Sequence, residues 1–505
     1  MTTVTAEASR TPVPPGTISV SEPAAVSPAT RSANQNEIIE RALIDASTRS
    51  PVLALFGSAV VWLLFSTLLG FIASMKLHSP EFLGNISFLT YGRVYTAYTN
   101  SFIYGWCSLA GMGVAIWLMA RLCRVSVRAP GVLAFGALFW NVGLFLGIAS
   151  ILAGQGRSLE AMELPGFAHA IMFVGFMLIG LWGAVLYRYR RGSGVFISVW
   201  YLLGALFWFP WLLATANVLI SLPQVRGVVQ SMTAAWYAQN LMGWWFTSIG
   251  LAAAYFFIPK VIDRPVHSYN LATLGFWSFA FFSGLTGMVR LSGGPVPAWV
   301  VSLSIAASIM MLVPLTTVTV NLLTTMRGRF NMVYHSPTLR FVFFGAVAFT
   351  VTGFISIFAS LRSVDRALHF TQFGAAHQQL LLYSFFSMVM FGSIYYITPR
   401  LVGCEWLSST MISVHFWGAA YGGAFLAVLL LIAGIDQGSS LNDPDSTYAQ
   451  IIQLTRAYFP GQSFIWFLIA IGHAFFALHF LLMLLRIGQP GGEPTLFAPL
   501  DEEAH

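Results

Sequence analysis

Residues 233–277 read TAAWYAQNLMGWWFTSIGLAAAYFFIPKVIDRPVHSYNLATLGFW. From 232 to 258 the run holds no charged residue. At about 1.5 Å of rise per residue it can cross the roughly 30 Å hydrocarbon core of a bilayer. Lys260, Asp263 and Arg264 then form a short polar turn, and a second apolar run opens at 269. The pattern is that of two membrane helices joined by a basic loop, and it repeats along the chain. Apolar runs stand near 51–75, 95–120, 131–154, 165–187, 195–221, 232–258, 269–289, 296–326, 338–361, 371–398, 411–435 and 462–485. The fold class expected is an all-α integral membrane protein with twelve transmembrane helices.

Composition agrees. Of 505 residues, 57% are hydrophobic and 9% charged, against about 25% charged in soluble domains. The net charge of +7 therefore reads as a topology signal, not as a nucleic-acid footprint. An even number of spans puts both ends on one side. With that side cytoplasmic, seventeen Lys and Arg face the cytoplasm and eight face away, including Arg157, Arg226, Arg290 and Arg362. The bias predicts cytoplasmic termini. Residues 1–50, rich in Pro, Ser and Thr, are expected to form a disordered tail with a short amphipathic lead-in helix at 37–50. Residues 51–486 form the membrane domain, and 487–505 a short tail. The three cysteines, Cys107, Cys123 and Cys404, have no metal-binding spacing. All eighteen Asp and Glu fall outside the twelve runs, which argues against a carboxylate relay through the membrane.

Several motifs resemble subunit I of the C-family (cbb-type) haem–copper oxidases. WYAQN, YFFIPK, DRPVHSY and FW in 233–277 follow the order and spacing of that family's W-W-Y-G-H-N, Y-F-I-P-K, E/D-R-P-V-Y-S-Y and next helix. SLRSVDRALHFTQFGAAHQ (360–378) resembles its R-S-V-N…H-[FY]-T…H-x-H block. YGRVYTAYTN (91–100) is similar to G-R-x-x-P-x-H-T-N, and ITPRL and HFW add weaker matches. The resemblance covers roughly 51–486 and implies the twelve-helix subunit I fold.

It also implies a ligand set. The family uses six histidines: two on a low-spin haem, one on a high-spin haem and three on copper. Its His-x-His pair addresses both haems, since two residues on a helix are separated by roughly 200°. Here the first of that pair matches His377, the predicted cofactor-binding residue. The second matches Gln379, and its partner across the low-spin haem matches Tyr98. The three copper ligands match Gln239, Val289 and Arg290, and the family's cross-linked tyrosine matches Ser283. Glutamine and valine do not replace imidazole on copper, and arginine repels a cation. The expectation is at most one haem b, on His377, and no copper. His169, His415, His473 and His479 also lie in spans and match no ligand of the family; they read as structural, with a replacement ligand at His169 as the alternative.

Three functions remain open on the sequence. One is a non-catalytic paralogue in the bacterial inner membrane, an accessory, assembly or sensing subunit beside membrane-anchored cytochrome c subunits. Another is a working oxidase or nitric oxide reductase fed by cytochrome c. The third is a channel for gas or small neutral solutes on the same scaffold.

Overall fold

A computed structural model of the chain describes residues 28–192 and 194–488. Of the tail expected at residues 1–50, residues 1–27 lie outside them, as does most of that at 487–505, and residues 28–36, expected to be disordered, are helical. The chain divides into two units, Met1–Ala42 and Leu43–His505. In the first, the described residues are helical from Pro28. The helix that starts there continues without a break through Pro51 to His78, so the lead-in and the first span are one element.

Twelve helices among the described residues are long and apolar enough to cross a membrane. They are α1 (Asn36–His78), α2 (Tyr91–Cys123), α3 (Pro130–Leu152), α4 (Gly166–Arg188), α5 (Ile197–Ser221), α6 (Val228–Val261), α7 (Tyr269–Leu291), α8 (Ala298–Met326), α9 (Pro337–Ala359), α10 (Gln372–Val402), α11 (Ser409–Leu441) and α12 (Tyr448–Leu484). Each corresponds to one run expected from sequence. Because α1 and α11 are longer than their runs, four carboxylates thought to lie outside the spans stand in helices: Glu37, Glu40 and Asp45 in α1 and Asp436 in α11. Asp45 in α1 accepts hydrogen bonds from Trp117 Nε1 (3.0 Å) and Arg121 (3.3 Å). Asp436 in α11 accepts one from the Tyr458 hydroxyl. Asp45 and Asp436 each bond to a neighbour, which offsets the cost of burying a charge.

Three helices form the centre. The apolar stretches of α2, α6 and α10 are 94–100% buried, whereas those of the other nine are 28–50% buried. The central helices recur at every fourth span, so the bundle is three groups of four, each lending its second helix to the core. All three depart from α-geometry in the same way. Ser101–Cys107, Leu241–Thr247 and Gln379–Ser387 are wider π-helical turns. At the end of each, a hydroxyl donates to the carbonyl five residues back: Ser108 to Ile103 (2.9 Å), Thr247 to Met242 (2.9 Å) and Ser387 to Leu382 (2.7 Å). The wider turn displaces carbonyls from ideal alignment, and these hydroxyls supply the missing partners. The turns also lock together, through Trp106 Nε1 to Ser387 Oγ (2.8 Å), Trp245 Nε1 to Ser108 Oγ (3.3 Å) and the packed rings of Phe246 and Phe386. π-Turns of this kind mark functional sites in helices, and here each begins within three residues of Tyr98, Gln239 or His377.

Candidate functional site

A cavity of about 760 Å³ lies around the start of α10. Its walls include Tyr98, Gln239, Ser283, Val289, Arg290, His377 and Gln379. Every position that sequence reasoning carried over thus faces one space, although these residues come from four helices. Local structure explains each placement. Helix α10 is capped at Thr371, whose hydroxyl accepts from Phe373 N (3.3 Å), and Gln437 of α11 accepts from Gln372 N (3.0 Å). These bonds hold the first turns of α10, and with them His377. Helix α7 tightens to a 3-10 turn over Ser283–Leu291, the segment that carries Val289 and Arg290. Gly243 lets Ser283 press against α6, because a Cβ there would overlap the Ser283 hydroxyl. Gly287 likewise accommodates the Gln239 side chain.

The His377 imidazole is held on one side only. Ser356 of α9 donates its hydroxyl proton to Thr352 O (2.8 Å) and is hydrogen-bonded to His377 Nε2. When the Ser356 proton goes to Thr352 O, the hydroxyl accepts from Nε2, the tautomer that leaves the Nδ1 lone pair free. Among the described residues nothing bonds to Nδ1. Arg290, on the same wall, pairs with Glu160 from the loop between α3 and α4.

Residues of α6, α7, α8 and α9 line the cavity, with Gln239, Ser283 and Ser356 among them. Residues of α1, α2, α11 and α12 line it too, and there the Tyr98 ring meets Trp466 edge-on at 5.2 Å.

A model of the family described as Cytochrome C and Quinol oxidase polypeptide I matches residues 50–473. The chain belongs to that family. It is 26% identical to a cytochrome c oxidase subunit 1 homolog of Agrobacterium tumefaciens (strain T37), over 77% of this chain and 74% of that one. It is 24% identical to the cbb3-type cytochrome c oxidase subunit CcoN1 of Stutzerimonas stutzeri, over 80% and 87%. Among solved structures, a heme-copper terminal oxidase dimer shares the fold, with a TM-score of 0.67, 16% identity and coverage of 90% and 86%. The chain is therefore a multi-pass membrane protein with the subunit I fold of the haem–copper oxidases.

Within this fold the other span histidines do not reach the cavity wall. His473 bridges Thr67 Oγ1 (2.7 Å) and the Tyr383 hydroxyl (2.8 Å). His415 bonds to the Tyr395 hydroxyl (2.9 Å) and stacks on Phe476. His479 accepts from Ser408 N (3.3 Å) beneath Trp406. His169 is buried against Tyr104, with neither ring nitrogen bonded among the described residues. Behind the cavity, Tyr104 links Ala161 O (2.5 Å) to the Tyr237 hydroxyl (2.8 Å), and Asn100 donates to Glu163 (3.2 Å). Burial pushes the Glu163 carboxyl up to about 7, Glu160 nearby adds to the rise, and the hydrogen bonds it accepts only partly oppose it. Sequence reasoning missed Ser356, Gln462, Glu160 and Glu163. Ser356 stands in FISIFAS with nothing to distinguish it, and the two glutamates looked like ordinary loop charge.

Proposed function

We propose that this chain is a degenerate subunit I that holds one haem b, on His377, and acts as an accessory or sensing subunit. It sits in the bacterial inner membrane beside membrane-anchored cytochrome c subunits, with both termini cytoplasmic. The observation that carries the reading is that, of the six positions matched to the family's histidines, all in the cavity wall, one holds an imidazole, His377.

The donor set fits one haem. Ser356 bonds to His377 Nε2 and fixes the ring, as an outer partner does for a metal-bound histidine, and no described residue bonds to Nδ1. The cavity is of a size that suits a cofactor. The donor set does not fit copper: no group of three His, Cys, Asp or Glu suited to a metal occurs among the described residues. Nor does it fit a haem held by two imidazoles, since Tyr98 and Gln379 stand at the positions matched to that pair. Bound haem would supply an iron centre able to take a diatomic gas or an electron. The protein's part is to orient His377 through Ser356, to line the space with the donors of Gln239 and Arg290, and to exclude bulk water with tightly packed central helices.

The relatives named above are oxidase subunits, and the intact cavity favours a second reading, an active oxidase or nitric oxide reductase. One set of measurements separates the two. Pyridine haemochrome and elemental analysis of the detergent-purified protein should give one haem and no copper per chain, with the haem lost in His377→Ala. Two haems, stoichiometric copper, or oxygen or nitric oxide consumption above that of His377→Ala would refute the degenerate reading.

A further inference from the structure

Two basic segments, RLCRVSVR (121–128) and RYRR (188–191), meet where α2 ends, α3 begins and α4 ends. A topology signal needs only their charge, and the structure adds an arrangement. Arg191 N donates to Cys123 O (2.9 Å) and Val127 N to Ser47 Oγ (3.0 Å), which pins the turn between α2 and α3 beside the end of α4. Three guanidiniums then rest on tyrosine rings. Arg190 lies 4.4 Å from the centre of Tyr187, and Arg128 and Arg188 lie 5.4 Å and 6.0 Å from that of Tyr189. Arg121 is paired with Asp45. Arg128, Arg188 and Arg190 are exposed, and among the described residues no carboxylate pairs with them.

A guanidinium stacked on a ring is held in place and keeps its N–H edge for a planar, bidentate acceptor such as phosphate. The positive end of the α3 dipole adds to the field, since that helix begins at Pro130. The neighbouring surface is apolar and exposed: Val132 and Phe135 in the first turns of α3, Leu181 two turns before Arg188, and Phe196 at the entry to α5. A soluble phosphate would use the arginines and leave this surface bare, whereas a phospholipid uses both.

We infer that this cluster binds an anionic phospholipid, with Arg128, Arg188 and Arg190 as donors to its phosphate and the acyl chains on the apolar surface beside them. None of these residues lines the cavity, so the site stands whether or not His377 holds a haem.

The test is native mass spectrometry of the delipidated full chain in non-ionic detergent, titrated with dioleoylphosphatidylglycerol and in parallel with dioleoylphosphatidylcholine. The first phosphatidylglycerol should bind at least about tenfold more tightly. Replacing Arg128, Arg188 and Arg190 together by Gln should erase that preference. A matched variant with Lys260, Arg327 and Arg329 replaced by Gln loses the same charge from turns on the same side, and should keep it. Tyr189→Leu removes a ring but no charge, and should weaken phosphatidylglycerol roughly threefold. All variants should bind phosphatidylcholine as the parent does, which shows that the fold is kept. Equal affinity of the parent for the two lipids, equal loss in the two triple variants, or parent-like binding by Tyr189→Leu overturns the inference. So does full competition by glycerophosphoglycerol, the headgroup without its chains, which would mark a site for soluble phosphates.

Discussion

Glu163→Gln exchanges a titratable group for a neutral one of the same shape at the loop that backs the cavity. The carboxyl has its pKa at about 7 in the folded protein, against an ordinary value of 4.5. The sign follows from linkage. The group is raised on folding, so the unfolded chain releases its proton first. Stability is greatest below about 4.5, falls as pH rises between the two values, and is level above about 7. The whole loss is about 3 kcal/mol, from 1.36 kcal/mol per pH unit. Glutamine can still accept from Asn100 and never ionises, so the variant escapes that loss. Reversible unfolding in mixed SDS micelles, run from pH 4.5 to 8, should show the two proteins nearly equal at the acid end. The variant should then become progressively more stable, by up to about 3 kcal/mol at pH 7.5. Taking the difference between the two proteins cancels the titration of every other group, the buried histidines included. Parallel curves at all pH values would refute the reasoning. They would mean that Glu163 is ionised in the folded state, and hence that its environment is far more polar than the bonds to Asn100 and Ala161 imply.

Other substitutions probe the centre of the bundle. Ser356→Ala removes the hydrogen-bond partner of His377 Nε2 and should weaken haem retention roughly 10- to 100-fold, read by haem transfer to apomyoglobin. Ser387→Ala strands the Trp106 indole N–H and the Leu382 carbonyl together, and should cost about 1–3 kcal/mol in SDS unfolding. Trp106→Phe, which leaves Ser387 bonded to Leu382, should lose less through that hydrogen bond. Gly434→Ala drives a Cβ into the backbone of Phe373, at the start of α10. It should cost about 1–3 kcal/mol and lower haem content as His377 is displaced.

Much of this architecture was legible in the chain itself. Apolar runs long enough to span a bilayer can satisfy their backbone only as helices, so the count of twelve followed from composition and length. Motif spacing then placed Tyr98, Gln239, Val289, Arg290, His377 and Gln379 at site positions, and the structure brings all six to one cavity. That much is readable because helical register converts sequence spacing directly into position along and around a helix. Helix ends were less legible: nothing in the apolar pattern says that α1 runs through Pro51, or that Asp45 and Asp436 fall inside helices. Three features belonged to tertiary structure alone. The π-turns depend on hydroxyls and indoles meeting across α2, α6 and α10, which no single segment encodes. The setting of the His377 ring depends on a serine in another helix that also bonds to Thr352. The unpaired amides of Gln379 and Gln462 are more than eighty residues apart in sequence and meet the same space only once α10 and α12 pack. Periodicity reports which face of a helix is apolar, but which partner that face meets, and what its polar atoms find there, is decided only when the helices come together.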